Sequence, residues 1–123
     1  MSQLLSYSGY NSASFRERDE LANRIKIENI CQTNQISQKI KDDIYLLYNK
    51  VKEFRDENIR HIIFRGATKQ GLFCAVLYLA HRINDIKITI DEISKMTGVD
   101  NDVVSYGLDS YYYYDKIKKY HRN

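Results

Sequence analysis

Apolar residues recur along most of the chain at spacings of three and four, the period of a helix buried on one side. The clearest stripe is Ile40, Ile44, Leu47, Tyr48 and Val51, with Lys39, Lys41, Asp42, Lys50 and Lys52 beside it in water. Ser37 stands where an N-cap belongs, and this helix is expected to end between Arg55 and Asn58. Upstream, residues 15–32 predict another helix, with Leu21, Ile25 and Ile30-Cys31 on or near one side, and Thr33-Asn34-Gln35 interrupts it. Residues 1–14 are polar and aperiodic and read as a flexible lead-in.

Downstream, the short apolar run Arg60-His61-Ile62-Ile63-Phe64 reads as a loop plugging the core. Gly66-Ala67-Thr68 opens a central helix over 68–83 that is apolar on most faces, from Leu72 to Ala80. A helix of that kind is surrounded by other helices, and Gly71, Ala75 and Ala80 allow them close approach. Thr89-Ile90-Asp91-Glu92 is a capping box, Ile90, Ile93 and Met96 are expected to face inward, and Gly98 suits a left-handed helix stop. Asp100 or Asn101 then caps a last helix reaching Lys118, with Val104, Leu108, Tyr111 and Tyr112 as its buried stripe. Five helices and no sheet make an all-α chain, divided as lead-in 1–14, helical domain 15–118 and basic tail 119–123.

Composition narrows the function classes. A chain of 123 residues makes one domain, and the absence of proline, with only five glycines, suits helices. The net charge of +3 permits a nucleic-acid partner without demanding one. Two cysteines, Cys31 and Cys74, supply neither a disulfide framework nor a zinc ribbon, and read as small buried hydrophobes. His61, His81 and His121 have no partner at metal-ligand spacing. With no phosphate-binding glycine loop, serine elbow or acidic metal cluster, neither a metal, a cofactor nor an enzymatic activity is expected. The N-terminus lacks signal-peptide character and no run approaches a membrane span, so an intracellular protein is expected, in nucleus or cytoplasm.

The order of elements carries a resemblance. Leu47-Tyr48-Asn49-Lys50 closes the second helix. Gly66 and Leu77-Tyr78-Leu79-Ala80-His81-Arg82 bracket the third, Thr89, Glu92 and Ile93 open the fourth, and Gly98-Val99 makes the turn. Over residues 20–112 the chain resembles one cyclin-like repeat of the transcription factor IIB core, a family that normally has two. Some late transcription factors of large DNA viruses look similar in the third and fourth helices. The resemblance implies a five-helix cyclin-like bundle with a helix-turn-helix-like pair of fourth and fifth helices. It implies a transcription-initiation binding module that contacts RNA polymerase, a TATA-binding-protein-like factor or, mainly through phosphates, DNA. A cyclin-type interaction adaptor outside transcription is the alternative, and a homodimer supplying a second repeat stays open.

The chain departs from that family in its last helix. Where the family's second repeat can place an apolar residue and arginines in the major groove, this chain has Asp102, Ser105 and Asp109, and residues 96–115 contain no Lys or Arg. Carboxylates oppose an approach to closely spaced phosphates, so sequence-specific reading by this helix is not expected. A solvated face with dipole complementation by Asp100 and Asp102 accounts for them equally well. The candidate polymerase or nucleic-acid contacts lie elsewhere. Arg60, His61, Arg65 and Lys69 surround the start of the central helix, in a region that the resemblance places near nucleic acid or polymerase. Lys116, Lys118 and Lys119 in the basic tail rank lower, as a solvated end or a loose phosphate contact. Among the tyrosines, Tyr106, Tyr113 and Tyr114 are candidate protein-interface residues, with core packing the competing reading of the run 111–114.

Overall fold

The computed structural model of the protein describes the backbone of residues 7–122 and the side chains of residues 17–117. The described residues form five helices: α1 (Tyr7–Thr33), α2 (Gln38–Lys52), α3 (Gly66–Arg82), α4 (Ile90–Thr97) and α5 (Asn101–Arg122). Among the described residues the single trace of extended pairing is an isolated antiparallel bridge between Arg55 and His61.

The chain divides into two compact units, residues 1–35 and 36–123. The first is α1, which starts at Tyr7 and not at the expected Phe15, since helical hydrogen bonds propagate cheaply from an existing helix through polar residues. Residues 1–6 of the expected lead-in lie outside the described residues. The buried side of α1 agrees with expectation at Cys31, with Ile30 half-buried beside it, but differs further upstream. Asn23, Ile27 and Cys31, four residues apart, are buried, whereas Leu21 and Ile25 are exposed. Asn23 hydrogen-bonds back to the Asp19 carbonyl at 2.9 Å, which lets a polar side chain occupy that stripe.

The second unit is built around α3, which packs against α2, α4 and α5. Residues 71–77, Ala80 and His81 of α3 are buried, as its all-round apolar pattern demands. His81 donates from Nδ1 to the Leu77 carbonyl at 2.7 Å, so its polar edge is satisfied inside the helix. From α2 come Ile40, Ile44, Leu47 and Val51, while Tyr48 is half-buried; Ser37 caps the helix by accepting from the Ile40 amide at 3.3 Å. From α4 comes Ile93, with Ile90 and Met96 half-buried at its edges.

The closest approach in this unit is between α3 and α5. A Cβ built on Gly71 would stand 2.7 Å from the Val103 carbonyl oxygen and 2.8 Å from the Gly107 Cα. One built on Gly107 would collide with the Gly71 carbonyl and lie 2.5 Å from the Gly71 Cα. Two glycines therefore face each other where the backbones cross, and no larger residue fits either place.

Two expectations for this unit are corrected. The second helix stops at Lys52, ahead of Arg55–Asn58, because Phe54 turns into the core and becomes fully buried. The core plug is therefore Phe54, not Ile62-Ile63: Ile62 is half-buried and Ile63 is 73% exposed. On α5, Val104, Leu108 and Tyr111 form the buried stripe but Tyr112 is 55% exposed. It follows Tyr111 by one residue, a rotation of about 100° that carries it off the stripe. The helix also continues past Lys118 to Arg122.

Candidate docking and nucleic-acid interface

The pair α4–α5 is joined by a tightly hydrogen-bonded turn. Thr89 Oγ1 accepts from the Glu92 amide at 3.1 Å while Glu92 Oε1 accepts from the Thr89 amide at 3.0 Å, closing the expected capping box. At the other end Gly98 takes φ +76°, and its amide donates to the Ser94 carbonyl at 2.8 Å. Ser94 Oγ then donates to the Val99 carbonyl at 2.6 Å, and Thr97 Oγ1 accepts from the Val99 amide at 3.2 Å. Thr97 also takes a 3.6 Å contact from the buried Cys74 thiol of α3, which ties the turn to the core.

This pair has helix-turn-helix proportions, yet its second helix presents an acidic outer face. Asp102, Ser105, Tyr106, Asp109 and Tyr113 are exposed together on one side of α5. Asp115 is an exception among the carboxylates of this segment. It turns towards α2, where Lys50 Nζ stands 3.8 Å away. Between Met96 and Asp115 the outward charge of the helix is wholly negative, unsuited to a phosphate-lined groove.

The cations collect around the α2–α3 connection. Its geometry starts from Asp56, whose Oδ1 accepts from the amides of Asn58 at 2.8 Å and Arg60 at 2.9 Å. The Asp56 amide donates to the Arg60 carbonyl at 2.9 Å, and the Arg60 guanidinium lies 3.4 Å from Asp56 Oδ2. The Arg60 amide above all, then the Asn58 amide and the Arg60 charge, hold the Asp56 carboxyl below the usual carboxylate range. The Arg55–His61 bridge closes the loop behind this turn.

Aromatic packing anchors the loop at both ends. Phe54 meets Tyr111 edge-on at 5.4 Å and stacks on Tyr114 at 5.8 Å, and Phe64 meets Tyr114 edge-on at 5.2 Å. Tyr113 donates from its hydroxyl to Glu57 Oε1 at 2.9 Å, and this bond raises the phenol pKa.

The sequence-level site residues fall as follows. Arg60, His61, Arg65 and Lys69 are all exposed; the first two belong to the braced loop, while Arg65 and Lys69 bracket the first turn of α3. Lys116 is exposed on α5, and the side chains of Lys118 and Lys119 lie outside the described residues. Tyr106 and Tyr113 are half-exposed, the former 3.5 Å from Thr68 Oγ1 of α3. Tyr114 is half-buried, its ring engaged by Phe54 and Phe64. Sequence reading passed over Asp56, although its spacing to Asn58 is the signature of an Asx turn. It also passed over Ile59, which takes a left-handed φ of +62° and is 61% exposed. Among the described residues no group of three His, Cys, Asp or Glu could hold a metal, and no helix is long and apolar enough to cross a membrane.

The residues behind the resemblance are largely fold-making. Leu47, Leu77, Ala80 and Ile93 are core. Arg82 lies over the Tyr78 ring at 4.9 Å and donates from Nε to the Ile88 carbonyl at 3.2 Å, clamping the α3–α4 connection. Asn84 binds Asp43 Oδ2 and the Ala80 carbonyl, each at 2.7 Å, and with Lys39 it holds the Asp43 carboxyl below its usual range. A buried central helix and a capped, glycine-turned pair behind it define an all-α domain of the cyclin-like class. The model of the transcription factor TFIIB repeat family matches residues 16–112, and the chain belongs to that family.

Among curated proteins, a transcription initiation factor IIB-like protein of Acanthamoeba polyphaga mimivirus is 29% identical over 102 residues. The match covers 80% of this chain but 22% of that relative, so the chain spans less than a quarter of its length. No solved structure matches.

Proposed function

We propose that this chain is a transcription-initiation docking module that contacts RNA polymerase or a TATA-binding-protein-like factor, with DNA touched mainly through phosphates. The observation that carries the reading is the division of charge within a TFIIB-type repeat. Arg60, His61, Arg65 and Lys69 are exposed around the start of α3, while the helix that would enter a groove faces outward with Asp102 and Asp109. The chemistry is positioning, with no bond made or broken. Arg65 and Lys69 also lie beside the N-terminal amides of α3, which favour an anion.

The test is the triple charge reversal Arg60→Glu, Arg65→Glu, Lys69→Glu. Wild-type protein is expected to capture polymerase subunits or a TATA-binding-protein-like factor from its native source, and the triple variant to lose them. Any duplex DNA binding should fall with salt, and its log–log salt slope should shrink by about 0.9 for each phosphate contact removed. If association and salt slope are both unchanged in the triple variant, the reading fails.

A further inference from the structure

We propose that the outer face of α5 is a receptor for an arginine-bearing helical segment of a partner protein. Asp109 and the tyrosines around it take one guanidinium, and Asp102 takes a second. This goes beyond the docking reading above and uses none of Arg60, Arg65 and Lys69. Its starting point is the setting of Asp109. Residues three and four apart share a helix face, and at those spacings Asp109 has Ser105, Tyr106, Tyr112 and Tyr113. All five residues are exposed, so this carboxylate stands in water among three half-exposed phenol rings.

The fold does not account for that setting. Asp109 lies about two turns into α5, past the reach of the helix dipole, and no cation of the helix shares its three- and four-residue spacings. Among the described residues neither Asp109 nor Asp102 forms an ion pair, whereas Asp115 of the same helix turns to Lys50. The rings themselves are braced. Tyr112 stands edge-on to the buried Tyr111 at 6.1 Å, and Tyr113 edge-on to Tyr114 at 5.0 Å. The Tyr113 hydroxyl is engaged by Glu57, and that of Tyr106 lies 3.5 Å from Thr68 Oγ1. Beneath them, Gly107 presses the backbone between Tyr106 and Asp109 against Gly71 of α3. A face held in this way needs little further ordering when a partner binds.

Chemistry selects the occupant. A planar guanidinium donates two parallel hydrogen bonds to a carboxylate and stacks on aromatic faces, whereas an ammonium acts as a point charge. A carboxylate framed by phenol rings therefore suits arginine above lysine, and it repels phosphate. Glu57, which also forms no ion pair among the described residues, adds negative charge beside Tyr113. Spacing sets the form of the segment. Asp102 and Asp109 are seven residues apart, about 10 Å along the axis, so arginines seven apart on a helix lying alongside α5 meet both. Two cations border the face, Lys116 seven residues beyond Asp109 and Lys69 next to Thr68, and they confine the contact to residues 102–113.

The experiment titrates the full chain with a fluorescein-labelled, alanine-based helical peptide of about 18 residues carrying arginines seven apart, followed by anisotropy. The same peptide with lysines is the control, and it should bind the wild type about threefold or more weakly. Asp109→Asn should weaken the arginine peptide about tenfold, and Tyr106→Leu with Tyr112→Leu about threefold or more. Ser105→Lys, which sets a cation four residues from Asp109, should weaken it likewise. These positions are exposed, so circular dichroism and Tm of Asp109→Asn and Ser105→Lys should stay close to wild type, and lost binding then belongs to the face. No binding by the wild type, undiminished binding by Asp109→Asn, or equal affinity for the lysine peptide would each overturn the proposal. A wild-type dimer in sedimentation equilibrium that Ser105→Lys dissociates would assign the face to a second copy and overturn it too. Failure here leaves the docking module standing, since its triple variant alters none of these residues.

Discussion

Replacing Gly107 by alanine should destabilise the protein, although helix propensity alone predicts the reverse. Alanine is favoured over glycine in a helix interior by about 1 kcal/mol. Against this stands the α3–α5 crossing, where the new methyl would collide with the Gly71 carbonyl and stand 2.5 Å from its Cα. Ordinary carbon contacts need about 3.5–4.0 Å, so the helices must separate by about 1 Å or more, and both obstructing groups are backbone that no rotamer change can move. Separation loosens the contacts of Leu72, Val104, Leu108 and Tyr111, all buried. Overpacking of a tight core costs about 1–3 kcal/mol and a backbone-on-backbone clash lies at the upper end, leaving a net loss of about 1–2 kcal/mol after the propensity gain. In a domain of this size that is a fall in Tm of about 4–16 °C. Gly71→Ala should lose somewhat less, since its nearest obstruction is 2.7 Å away. Thermal and urea unfolding followed by far-ultraviolet circular dichroism would measure both, with Ser105→Ala on the exposed face of α5 as the propensity control. A Gly107→Ala protein as stable as the control would refute the crossing at this point.

Two further perturbations test other parts of the fold. Thr89→Ala should cost about 1 kcal/mol, and Thr89→Ala with Glu92→Ala should cost less than the sum of the single losses, because the two side chains cap reciprocally; additive losses in urea unfolding would contradict that coupling. Burial first, then the nearby Asp115 and Tyr112, push the Tyr111 phenol up to about 12. The folded chain therefore holds this proton more tightly than the unfolded chain, whose phenol titrates near 10. Its contribution is fully present below pH 10 and is lost as pH rises from 10 towards 12, so Tyr111→Phe should flatten the alkaline fall in stability. An identical alkaline profile in the variant would show that Tyr111 is not responsible.

Local elements were legible from the chain because their causes are local. The 40-44-47-51 stripe, the Ser37 cap, the Thr89–Glu92 box and the Gly98 stop each depend on residues within one or two turns, and each forms as expected. The site was legible only as a set of charges. That Arg60 belongs to a turn organised by Asp56, or that Asp115 faces Lys50, depends on where the chain folds back.

What the sequence determined by itself is the helical architecture, its capped boundaries and its kinship with the TFIIB repeat, since periodicity, capping and motif order are written in neighbouring residues. What only the tertiary structure decided is which residues meet across helices. Gly107 shows no local sign of its role, yet it faces Gly71 across thirty-six residues of chain. Phe54 takes the core position expected of the run containing Ile62 and Ile63, leaving Ile63 in water. Apolar residues compete for a limited interior, and hydrophobicity alone does not rank them. Backbone geometry does, by fixing which side chains the closing loop can turn inward.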